Sequence, residues 1–129
     1  MIEHALRTIL VNNDGVKNLV NDRIYYNIAP QGTTIPYIVF FKIAGPREHS
    51  HDGKSGLAHP RFQFSVFADT YLKAKQITQA IQNALDCFTG EIEDTAIKSC
   101  LYINEVDMYD AQAGLNHVAS DYEIYHREG

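Results

Sequence analysis

The residues with the most obvious chemical capacity lie close together in one stretch: His49, His51 and His59, with Glu48 and Asp52 among them. Imidazole and carboxylate are the usual ligands of zinc and related ions, so the first chemistry to weigh is a metal site. Against it, a His-x-His pair in an irregular stretch has no second shell supplied by regular backbone. The helical HExxH spacing that sets two ligands on one face is also absent. Ser50 or Ser55 with His59 would supply a nucleophile and a base, yet no Gly-x-Ser-x-Gly elbow surrounds either serine. Gly53-Lys54-Ser55-Gly56 matches the end of a phosphate loop, but position 48 is Glu where GxxxxGK[ST] needs its first Gly, and no helical pattern follows Ser55. Farther on, Glu91, Glu93 and Asp94 form an acidic group with no apolar wall to push their pKa values apart, which reads as a solvated loop. The expectation is therefore no catalytic residue, no cofactor and no metal, with Arg47, Glu48, His49, His51, Asp52 and Lys54 as partner-contacting residues. A small hydrolase, or a metal- or ligand-binding domain using the His-rich loop 45–60, stays open as the alternative.

The elements that hold this loop are two apolar strands. Residues 36–44, PYIVFFKIA, are rich in β-branched and aromatic side chains and bounded by proline and glycine, the pattern of a strand inside a sheet. In residues 61–68, Arg61, Gln63 and Ser65 alternate with Phe62, Phe64, Val66 and Ala68, a period of two with one buried face. A slip of one residue would put the Phe side chains in water, so the register is well specified. A connection of this length without periodicity is commonly a functional loop, and the expectation is an extended arm, Gly45 to Pro60, at the tip of an antiparallel pair.

Elsewhere, Ile2, Ala5, Leu6, Ile9 and Leu10 recur at helical spacing over residues 2–11. Asp14 is expected to cap a short helical turn over 16–20, and residues 22–26 read as a short strand. Asp69 or Thr70 begins a helix running from about Tyr71 to Phe88, whose stripe includes Ala74, Ile77, Ile81 and Leu85, and Gly90 is expected to end it in a left-handed cap. Residues 96–109 and 115–125 read as strands, joined by a turn at Asp110 to Gly114 into a hairpin. On the second of these, Val118, Ser120, Tyr122 and Ile124 alternate with His117, Ala119, Asp121, Glu123 and Tyr125. The fold class is α+β: about four main strands, mostly antiparallel, with two helices packed on one face and a long loop between the first two long strands. The other face is expected to carry His117, Asp121, Glu123, Arg61 and Gln63.

At 129 residues the chain forms one domain, 1–129, large enough to bury a sizeable core. An apolar fraction of 45% and a charged fraction of 21% are those of a globular protein. The net charge of −5 argues against a nucleic-acid-binding module, since such affinity comes from Lys and Arg meeting phosphates. No apolar run reaches the length of a membrane span and no cleavage pattern marks the start, so the expected compartment is the cytosol, with Cys87 and Cys100 reduced and packed as small hydrophobes. The tyrosines, from Tyr25 to Tyr125, are expected at the core boundary or at a subunit interface.

One ordered set of stretches resembles a known family. Arg23-Ile24-Tyr25, Ala29-Pro30-Gln31-Gly32 through Ile35-Pro36-Tyr37-Ile38-Val39, Asp52-Gly53 with Ser55-Gly56-Leu57, Arg61 through Phe67, and Tyr71 with Ala74 follow the order seen in small tail-completion proteins of long-tailed bacteriophages and prophages. The likeness spans nearly the whole chain, including the Asp110 to Gly114 turn; His49 and His51 depart from it. It implies a non-enzymatic tail-terminator or head-to-tail joining subunit, without cofactor. Such a subunit forms a hexameric ring with copies of itself, caps the tail tube and meets the head-completion or connector protein. DNA is implied only as passing cargo, no membrane is involved, and the protein, assembled in the host cytoplasm, resides in the virion.

Overall fold

A computed structural model describes residues 1–44 and 57–128. Helix α1 (Ile2–Val11) forms where the apolar spacing predicts it, and Ile2, Ala5, Leu6, Ile9 and Leu10 are its buried residues. Helix α2 (Asp14–Val20) is a full element, which makes three helices among the described residues where two were expected. Its cap is Asn13 rather than Asp14: the Asn13 side chain accepts from the Val16 N–H at 3.1 Å. Either residue type has the oxygen for this, and position relative to the first turn decides between them. Helix α3 (Tyr71–Leu85) is capped by Thr70, whose hydroxyl accepts from the Lys73 N–H.

The strands are β1 (Ile24–Tyr26), β2 (Tyr37–Ala44), β3 (Leu57–Ala58), β4 (Arg61–Ala68), β5 (Gly90–Ile92), β6 (Thr95–Asp110) and β7 (Leu115–Glu128). They form one sheet in the order β1-β2-β4-β7-β6-β5, with β3 paired to β7. All pairings are antiparallel except β1 with β2. The four long strands and the short β1 are those expected, and two further short ones, β3 and β5, are added. Strand β7 runs on past Tyr125, so its last residues offer ladder positions that Leu57 and Ala58 take opposite Arg127 and His126. The connection after β2 is thus partly strand by its end, and the Pro60 carbonyl accepts from Ile124 N–H at 3.0 Å.

Helix α3 stops at Leu85, three residues earlier than its stripe suggests, and the left-handed residue is Cys87 (φ 67°) rather than Gly90, which instead opens β5. The reason is visible at the junction: Asp86 and Cys87 turn to bond β6, with Cys87 N–H donating to the Cys100 carbonyl at 2.8 Å and Asp86 Oδ1 accepting from Tyr102 N–H at 3.1 Å. At the hairpin end, Gly114 holds φ +67°, where a side chain would be strained.

The three helices cover one sheet face. Between the layers lie Leu6, Leu10, Ile38, Phe40, Phe62, Phe64, Val66, Ile77, Ile81, Val118, Tyr122 and Ile124 in a single cluster. Phe40 and Phe64 stack at 5.1 Å between ring centres, and Phe64 meets Tyr122 edge-on at 5.5 Å. No helix is long and apolar enough to cross a membrane among the described residues.

Candidate functional site: the open sheet face and its edges

Strand alternation sends every second side chain of β2, β4 and β7 away from the helices, onto a face that no other described element covers. Its register places Tyr37 opposite Phe67, Phe67 opposite His117 and His117 opposite Met108, so one row crosses four strands. The rings are in contact along it. Tyr25 and Tyr37 meet edge-on at 6.4 Å, Tyr37 and Phe67 stack at 5.1 Å, and Phe67 and His117 stack at 4.2 Å. Beside the row, Val39, Ser65 and Ala119 are small and are 6%, 3% and 3% exposed, sheltered by the rings around them rather than by a second layer. Small residues in the floor and rings at the rim make a groove of about 280 Å³, closed on one side by Ile28 and Ala29. Ile28 itself is 79% exposed.

Farther along the same face the residues turn polar, as expected for Arg61, Gln63, Asp121 and Glu123. Gln63 Nε2 donates to Asp121 Oδ1 at 3.1 Å, and Arg61 stands opposite Glu123. His117 joins the apolar groove instead of this polar row. Its Nε2 is buried without a hydrogen-bond partner among the described residues, and burial holds its pKa below the ordinary histidine value. Burial thus favours its neutral imidazole, and no nucleophile stands beside it among the described residues.

A second group ties the far end of β6 to α3. Lys75 Nζ donates to Glu105 and, at 3.1 Å, to Asp107; Tyr71 OH donates to Asp107 at 2.8 Å and Tyr102 OH to Glu105 at 2.9 Å. The hydrogen bond to Glu105 drives the Lys75 pKa up, while the bonds from Tyr71 and then Lys75 drive that of Asp107 down. These groups are partly exposed, so the ion pairs contribute little each to stability, about 0–1 kcal/mol; together they fix the strand's direction.

The arm residues Arg47, Glu48, His49, His51, Asp52 and Lys54, with Ser50 and Ser55, lie outside the described residues. His59 packs against the sheet: its ring stacks on Tyr125 at 5.1 Å and Nδ1 lies 3.4 Å from Glu123. Glu93 and Asp94 face His4 and the terminal ammonium, both exposed. Cys87 and Cys100 are free thiols; Cys100 is buried, which pushes its pKa up to about 12, and Cys87 is exposed. Tyr122 departs from the expected boundary position and is wholly buried. The row itself went unread in the sequence, although one signal was there. Phe67 occupies the parity of Arg61, Gln63 and Ser65, and a large ring on the polar side of a strand marks a face that is not simply solvated.

The open aromatic row and the polar row beside it give this face the composition of a protein-contact surface. The chain belongs to the tail completion protein gp17 family, whose profile matches residues 4–127. It is accordingly a structural protein of tail assembly, located in the virion. Among solved structures it is similar to a chain of the virion of a native gene transfer agent (GTA) particle, with a TM-score of 0.75 and 18% sequence identity, covering 96% of this chain and 92% of that one. At that identity the likeness establishes the fold. No curated protein matches the chain.

Proposed function

We propose that the protein is the tail-terminator or head-to-tail joining subunit, which closes into a hexameric ring on the tail tube and meets the head connector without catalysing a reaction. The family match over residues 4–127 carries this reading. The open sheet face supports it, since a Tyr25-Tyr37-Phe67-His117 row offers rings that are apolar in body and partly wet, the composition of protein interfaces. The arm residues Arg47, Glu48, His49, His51, Asp52 and Lys54 lie in a polar stretch of sequence with no apolar periodicity and are proposed to contact the neighbouring virion protein. An acidic subunit, −5 per chain, repeated around a channel would repel phosphates and let a duplex slide through. The direct test is electron microscopy of tails assembled with the tagged protein. Label confined to the head-proximal end as a ring is the expected result; label along the tube, or none, would refute the assignment.

A further inference from the structure

The two long borders of the sheet are treated differently along their length. At one border β1 is closed off: Arg7 donates to the carbonyls of Ile24 (2.9 Å) and Asp22 (3.1 Å), and Ile28 N–H donates to the carbonyl of Tyr26 at 2.5 Å. Beyond β1, however, β2 continues through Phe41, Lys42 and Ile43 with no strand beside it among the described residues. The ladder alternates, and Phe40 accepts from Asn27 across that border, so two residues on it is Lys42 whose N–H and C=O point outward. A recess of about 510 Å³, between Met1 and His4 on one side and Tyr26 and Asn27 on the other, opens on this stretch.

At the opposite border, β5 covers Thr95–Ile97, and Asp86 with Cys87 covers Cys100 and Tyr102. After the irregularity at Ile103 the cover stops. The same alternation leaves the backbone of Glu105, Asp107 and Tyr109 facing outward with no partner among the described residues. Uncovered edges of this length are a hazard that folded proteins normally blunt, and this fold blunts the neighbouring stretches of both.

The two open stretches match each other. Phe41-Lys42-Ile43 reads apolar, basic, apolar; Val106-Asp107-Met108 reads apolar, acidic, apolar. Lys42 and Asp107 both stand on the helix side of the sheet, while Phe41, Val106 and Met108 stand on the open face, and Ile43, Val106 and Met108 are 40%, 46% and 43% exposed. Among the described residues Lys75 alone is shared by Glu105 and Asp107, so the cluster keeps a surplus negative charge that one further ammonium would neutralise. Pairing two β6 edges across a two-fold axis would instead set like charges face to face, which is unfavourable.

We propose that the β2 edge of one copy pairs with the β6 edge of a second copy, Lys42 against Asp107, carrying the sheet and its aromatic face from one subunit into the next. A head-to-tail contact of this kind uses different surfaces on the two copies, so repetition closes a ring when the rotation permits. The inference rests on the ring reading above and names the surfaces that make it. In a single chain, β4 and β7 separate β2 from β6, three strand spacings or about 14 Å, which no disulfide spans.

The test is disulfide trapping in a Cys87→Ser background at high protein concentration, with Phe41→Cys combined with either Met108→Cys or Val106→Cys. Oxidation of one of the double variants is expected to give a ladder of covalent multimers up to the ring size, the successful partner telling whether the strands run antiparallel or parallel. Each single variant should stop at dimer. Rings seen by microscopy without a ladder from either double variant would overturn this interface and leave the ring reading standing. Protein that neither forms rings nor cross-links would overturn both.

Discussion

Phe64 and Phe67 sit three residues apart on β4 and point to opposite faces, so truncating each to alanine separates the face that holds the fold from the face that is open. Phe64 is fully buried, stacked on Phe40 at 5.1 Å and edge-on to Tyr122 at 5.5 Å. Its removal leaves a cavity in the centre of the core and should cost about 3–5 kcal/mol. Set against a total stability of about 5–15 kcal/mol, that is a large fraction. Phe67 is only partly buried, with Tyr37 on one side and His117 on the other and no layer above. It loses part of a side-chain burial term and two ring contacts, and its hole is open to water, so about 1–2 kcal/mol is expected. Urea unfolding followed by circular dichroism reads both, with the slope of the transition unchanged if neither variant alters the denatured state. Phe67→Ala should remain cooperatively folded and lose association or tail binding, whereas Phe64→Ala should lose stability first. If the two substitutions cost the same, the face carrying Phe67 is covered in the monomer, and its assignment as a contact surface fails.

Alkylation of the native protein should modify Cys87 alone, Cys100 reacting only on unfolding because it is buried and its thiol is held protonated; mass spectrometry showing equal labelling would contradict this. His117 has its pKa lowered by burial, so between that value and the unfolded value near 6.5 the unfolded chain binds more protons and stability falls with acidification. His117→Phe should flatten this part of the pH–stability curve, and an unchanged curve would show that the group does not titrate differently on folding. Tyr122 OH is buried beside the Ser120 hydroxyl with at most a marginal hydrogen bond between them, so Tyr122→Phe should change stability by no more than about 1 kcal/mol, in either direction; a loss of several kcal/mol in thermal melts would show that the hydroxyl is strongly bonded. Duplex DNA at physiological salt should not shift with the protein, as its −5 charge implies; salt-dependent retention at submicromolar protein would refute the sliding-channel account.

What the sequence made legible follows from what has a period. The stripe of α1 and the alternation of β4 each encode a buried face directly, and the structure buries those residues: Leu6, Leu10, Phe62, Phe64 and Val66 are all at 0% exposure. Residues 22–26 were legible as the short strand β1, but β3 and β5 escaped because two or three residues carry no period. Strand β5 exists because Glu91 and Ile92 find Ala96 and Thr95 across a tight turn, and β3 because β7 extends far enough to receive it. Both are consequences of what a neighbour leaves unpaired, which no local pattern records. The end of α3 failed for the same reason, since its apolar stripe continues to Phe88 while Asp86 and Cys87 are drawn into bonds with β6.

The candidate site was harder to see than the fold because it is a row across strands instead of a motif along one. Tyr25, Tyr37, Phe67 and His117 are separated by up to 92 positions in the chain, and only the register brings them into one line. Sequence chemistry drew attention to histidines near carboxylates, the groups that make bonds and bind ions. A protein whose task is to hold others in place uses different means: ring faces, small residues that let rings lie flat, and backbone groups at an edge. Those groups are ordinary strand residues until the topology shows which of them face no neighbour. The same argument explains why the open edges carry charge: Lys42 and Asp107 each interrupt an exposed apolar run, which discourages indiscriminate pairing while leaving each edge complementary to the other.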